Sequence, residues 1–109
     1  MSSAREYYKP KKDSLTINAS NTITTLKSLI EAAGSSIHPA TTRIRIQNLD
    51  AADLYHAVGI SGAPGTTSEM APLPQNQIYP YEYDAAGLAF VYVCGQAATH
   101  YIHIWQDGL

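Results

Sequence analysis

The cleanest alternation of apolar and polar positions lies at residues 42–48 (TRIRIQN), where Ile44 and Ile46 are separated by Arg43, Arg45 and Gln47. A period of two predicts a strand with one side in the core and one side wet or facing a partner. Residues 14–18 (SLTIN) and 21–26 (NTITTL) are short β-branched runs around Ala19 and Ser20, which predict two brief strands or a strand and a bend. Residues 53–58 (DLYHAV) predict another strand. Residues 78–83 (IYPYEY) predict one more, and Pro80, which lacks a backbone donor, places it at a sheet edge. At the C-terminal end two apolar runs, residues 88–94 and 99–105, flank Gly95-Gln96-Ala97-Ala98, a link short enough for a β-hairpin. In the first run both faces are apolar, the pattern of a central strand. In the second, Ile102 and Ile104 alternate with Tyr101, His103 and Trp105.

Residues 28–34 (SLIEAAG) combine a Ser start, an acidic residue at the third helical position and a Gly stop. They predict a helix of one to two turns with Leu29 and Ile30 toward the core. Residues 35–41 read as loop, and residues 59–76 as a long Gly-, Pro-, Ser- and Thr-rich loop of the kind that in a small domain usually serves a function or a partner. Asp84-Ala85-Ala86-Gly87 reads as a turn into the final hairpin. About seven short strands and one short helix predict an all-β fold, a small antiparallel β-sandwich or flattened barrel. Residues 1–13 have no hydrophobic period and hold Pro10, so the chain divides into a basic N-terminal arm, 1–13, and a sandwich domain, 14–109.

Charge sharpens that division. The arm carries Arg5, Lys9, Lys11 and Lys12 against Glu6 and Asp13, a net +2, while the overall charge is −2, leaving −4 on the other 96 of the 109 residues. Only 15% of residues are charged, which suits a protein that covers much of its surface with partners. Eight tyrosines point the same way, because Tyr combines apolar area with a polar tip, although half-exposed Tyr is also ordinary in sandwiches. The single cysteine, Cys94, allows no intrachain disulfide and reads as a small buried hydrophobe. No run approaches the roughly 20 apolar residues of a membrane span and no signal-peptide pattern opens the chain, so neither a membrane partner nor secretion is expected.

Candidate chemistry is sparse. His100 and His103 are three apart, a spacing that chelates on a helix but points to opposite faces on a strand, so no metal and no other cofactor is expected. Tyr101, His103 and Trp105 share one face and read as a stacking patch, either core or interface. No G-x-S-x-G elbow or phosphate-binding Gly loop is present, and Asp50, Asp53, Asp84 and Asp107 stand singly as turn formers. The reading is therefore non-enzymatic. An isoelectric point near 6.0 argues against nucleic acid as partner. Protein contact is expected through Arg5, Tyr7, Tyr8, Lys9, Lys11 and Lys12 of the arm and through Arg43 and Arg45, which share one strand face.

From Thr42 to Trp105 the chain resembles small virion structural proteins of tailed bacteriophages. The likeness runs through the RIRIQN strand, a strand ending in VG, a Gly/Ser/Thr-rich loop, a PLP return and the C-terminal pair of apolar runs. The resemblance implies a β-sandwich that decorates or cements the outside of a capsid. The major capsid protein or another virion protein would be its partner, the assembly a homo-oligomer with a trimer favoured, and the location the virion, assembled in the bacterial cytoplasm. The alternative is a carbohydrate-binding or host-attachment module of a phage head or tail fibre, with Trp105 and Tyr rings as stacking platforms. That alternative requires Trp105 to face solvent.

Overall fold

The computed structural model describes residues 11–18, 20–59 and 62–108. Eight strands form two antiparallel four-stranded sheets: β1 (Lys11–Ile17), β2 (Ile23–Thr25), β3 (Thr41–Asn48), β4 (Leu54–Val58), β5 (Ala71–Leu73), β6 (Ile78–Tyr81), β7 (Val91–Gly95) and β8 (His100–Gly108). The front sheet has the order β1-β8-β3-β6 and the back sheet β2-β7-β4-β5. Two helices, α1 (Leu26–Ala32) and α2 (Ala85–Leu88), and a single 3-10 turn at Thr67–Glu69 complete the described elements. The expected small all-β sandwich is what forms.

The core lies between the sheets and is built by alternation. Leu15 and Ile17 of β1, Ile44 and Ile46 of β3, and Ile102 and Ile104 of β8 face Leu54, Leu73, Val91 and Val93 of the back sheet. Each such side chain removed from water contributes about 1.5–3 kcal/mol before the entropy of ordering is subtracted. The Arg43/Arg45/Gln47 side of β3 is turned outward, as its period of two requires, and Pro80 does sit on an edge strand, opposite Arg45.

Four local expectations are corrected. The C-terminal runs do not form a hairpin. β7 is paired on both sides by β2 and β4, and β8 by β1 and β3, so each run is central in its own sheet and residues 96–99 cross from one sheet to the other. His100 holds this corner, its Nδ1 accepting from the backbone N–H of Gln96 at 3.2 Å and of Ala97 at 3.3 Å. A Cβ on Gly95 would lie 2.7 Å from His100 Cβ, so glycine is needed there for the ring to approach. The helix starts a turn earlier than the Ser28 signal suggests. Thr25 is the N-cap, accepting from Ser28 N–H, because that start brings Leu26 into the core together with Ile30; Leu29 packs at its margin. The stop is where expected, with Gly34 at a positive φ of 84°. Finally, the 59–76 loop contains β5, and the supposed turn at Asp84 is an N-cap, its carboxylate accepting from Gly87 N–H at the start of α2.

Lys11, Lys12 and Asp13, read as the end of the arm, are the first residues of β1 and are paired with Gln106, Trp105 and Ile104. Arg5, Tyr7, Tyr8 and Lys9 lie outside the described residues.

Candidate interaction face

The strand register gathers the outward side chains of the front sheet into rows. Lys12 of β1, Trp105 of β8, Arg45 of β3 and Pro80 of β6 are aligned across all four strands. The next row is Ser14, His103, Gln47 and Ile78, and beyond it Thr16 lies opposite Tyr101. This is the outer face on which the sequence places Arg43 and Arg45.

In the first row two cations from opposite sides converge on one indole. Lys12 Nζ lies 5.5 Å and Arg45 Cζ 5.1 Å from the Trp105 ring centroid, within the range of cation–π attraction. His103 meets the same indole edge-on at 5.9 Å. Trp105 is therefore half-buried beneath charged side chains rather than open to solvent. Tyr101, at 52% exposed, and Ile78, at 48%, are the large apolar side chains that this face does present to water.

Asp107 organises the arginines. Arg45 donates to it from Nε at 2.8 Å and Nη2 at 3.0 Å, and Arg43 donates from Nε at 3.0 Å. Burial alone would raise the Asp107 carboxyl, but the hydrogen bonds and charges of Arg45 and Arg43 outweigh it and hold the group below the usual carboxylate range. Asp107 is not the turn former that its isolation suggests. The signal that could have found it is a register, Arg43 opposite Asp107, which exists only once β3 and β8 are paired. His103 is pushed down by burial and by nearby Lys12, which keeps it neutral beside the cations.

Lys11 does not join this face. Strand alternation turns it to the other side, where its Nζ donates to Ser35 Oγ, which in turn donates to Asp13 at 3.2 Å. Of the described candidates, Lys12, Arg43 and Arg45 are thus brought together and Lys11 is separated from them.

Two further polar clusters are centred on buried side chains, His100 with Asn48 and His56 with Tyr81. His100, fully buried, donates from Nε2 to Asn48 Oδ1 at 2.7 Å, since its Nδ1 is already an acceptor. Asn48 Nδ2 donates to the carbonyls of Ala52 and Leu73. His56 Nδ1 is hydrogen-bonded to the Tyr81 hydroxyl, and the His56, Tyr79, Tyr81 and Tyr83 rings form a ladder. Burial pushes His56 down and Tyr81 up, so both are neutral at pH 7. Cys94 is buried and its thiol is pushed up by burial, as its place in an apolar strand suggests. Among the described residues no group of three or more His, Cys, Asp or Glu side chains is placed to hold a metal ion, and no helix is long and apolar enough to cross a membrane.

Comparison of the chain with protein-family models, with curated proteins and with solved structures gives no match.

Proposed function

We propose that this chain is a non-enzymatic virion structural protein that binds the outside of a bacteriophage capsid as a decoration or cement protein, through its N-terminal arm and the outer face of the front sheet. The observation that carries the reading is one of continuity. The basic arm leads directly into β1, whose Lys12 is the first member of the Lys12-Trp105-Arg45 row. In sequence the basic segment adjoins this basic, aromatic sheet face on a protein whose remaining residues are net acidic, and on this reading the two serve as one contact surface. Such a surface fits an acidic protein lattice, with the Trp105 indole holding the two cations in place and Tyr101 and Ile78 supplying apolar contact. The virion resemblance of residues 42–105 supports the same assignment. Binding only the assembled shell stabilises it by mass action.

Co-sedimentation with particles of the phage that encodes the chain tests this. Truncation should remove residues 1–10 and stop before β1, so that the sandwich is preserved. The full chain is expected to sediment with particles and the truncated chain to remain in the supernatant. A full chain that ignores particles overturns the proposal. Retention on immobilised glycans by both forms would instead support the carbohydrate-binding reading, which exposed Tyr101 favours and the covered Trp105 ring does not.

A further inference from the structure

The two sheets have four edges, and three are closed. Leu49 N–H donates to Tyr101 carbonyl, which fixes the hydrogen-bonding phase of the β3–β8 ladder: odd-numbered residues of β8 bond to β3 and even-numbered ones to β1. Asn48 N–H donates to Gln77 carbonyl, so on the far side of β3 the residues Ile46 and Ile44 exchange bonds with Tyr79 and Tyr81. Pro80 then sits at the alternate position, its donorless nitrogen turned away from the sheet. The back sheet repeats the device. Gly59 N–H donates to Phe90 carbonyl, which assigns Tyr55 and Ala57 to β7, and Leu54 and His56 to β5; the nitrogen of Pro72 is turned outward. The third edge, β2, is three residues long and runs straight into α1. Proline and shortness at an edge are means of preventing unwanted strand addition.

The fourth edge is β1, seven residues long and without proline. Because Lys11, Asp13, Leu15 and Ile17 bond to the even-numbered residues of β8, the N–H and C=O groups of Lys12, Ser14 and Thr16 point away from the sheet. Among the described residues none of these groups has a hydrogen-bond partner. All three side chains are exposed, and the nearest polar contacts, from Ser35, go to the side chains of Lys11 and Asp13 and leave this backbone row uncovered.

We infer that β1 is an interface through which a second copy of the chain adds, antiparallel and about a two-fold axis at Ser14, to make one continuous eight-stranded sheet. The strand is self-complementary in this register. Ser14 meets Ser14 of the second copy and Lys12 meets its Thr16, giving three reciprocal pairs that each exchange two N–H···O bonds. No like charges are opposed, since Asp13 is set opposite Leu15 and Lys11 opposite Ile17. The outer faces of the two front sheets become one surface bearing two Lys12-Trp105-Arg45 rows. A two-fold contact makes a pair, in place of the trimer that the virion resemblance implies, and it holds whether or not the partner of that surface is a capsid.

Size-exclusion chromatography with light scattering on the full chain, across a dilution series, is the test. The native chain is expected at twice its 11.8 kDa mass. Ser14→Pro gives β1 the same outward-facing block as Pro72 and Pro80, and Ser14→Lys opposes two cations at the axis; each is expected to run as a monomer. Circular dichroism identifies any loss of fold in the proline variant, and the exposed lysine leaves the β1–β8 ladder untouched. Ser14→Cys is expected to form a disulfide-linked pair under mild oxidation, because hydrogen-bonded antiparallel partners lie about 5.5 Å apart at Cα. A monomeric native chain overturns the inference, and so does an oligomer that Ser14→Lys leaves intact.

Discussion

The molecule has two concentrations of polar side chains, and they are built on opposite terms. Around Asn48 and His100, among the described residues, every buried side-chain nitrogen and oxygen has a partner: the two side chains bond each other, and the rest of their partners are backbone groups of β5 and of the loops that link the two sheets. Around Trp105 the polar groups lie at the surface, with side chains from β1 and β3 meeting across β8. The first arrangement cannot be changed without leaving a donor or acceptor dry. The second, being largely exposed, is expected to tolerate change with little loss of stability. A cluster that the fold does not need is the one available to a partner, and the contact role we propose for the second region rests on this contrast.

The contrast breaks if the two regions respond alike to mutation. Asn48→Ala should have the largest effect, since it removes the hydrogen-bond partner of His100 Nε2–H, of the Asp50 N–H and of the Ala52 carbonyl. A loss of about 3 kcal/mol is expected by chemical denaturation, and a loss within error would mean that the network is not structural. pH gives the next test. His56 and His100 are both held neutral by burial, against 6.5 for the free side chain. The unfolded chain therefore binds more protons below that value, and stability should fall as pH drops from 6.5 toward the lowered folded values, then level off. Melting temperatures measured through this range should decline, and less steeply in His56→Phe.

Asp107 lies between the two regions, buried yet bound to half-exposed arginines. Asp107→Asn should cost about 1–2 kcal/mol near neutral pH. The native carboxylate stabilises the fold above its unfolded value of 3.8, and that contribution is lost as pH falls through its lower folded value. The Asn variant should lack this acid limb in its stability profile. Lys12→Glu should have the smallest effect on stability, below about 1 kcal/mol, because it removes one exposed cation–π contact.

Much of the sandwich was legible because period-two alternation and proline act locally. Ile44 and Ile46, the outward Arg43 and Arg45, and the edge position of Pro80 follow from residues within a few positions of one another. The mispaired C-terminal runs show where local reading ends. A short link between two apolar strands favours a hairpin, but β7 and β8 each find two longer-range neighbours, and six of the seven connections between successive strands change sheet. Pairings of that kind depend on contacts distant in sequence, which no window of residues contains. The candidate face was legible in part for the same reason: Lys12, Arg43 and Arg45 could be singled out by charge, but their meeting at Trp105 and Asp107 depends on three strands drawn from the two ends and the middle of the chain.

The most direct test of the contact role is Lys12→Glu, measured beside the native chain by co-sedimentation with phage particles and by thermal unfolding. The expected result is a variant that melts within a few degrees of the native chain and no longer sediments with particles. A Lys12→Glu chain that binds particles as the native chain does would contradict the assignment of the Lys12-Trp105-Arg45 face as the contact surface.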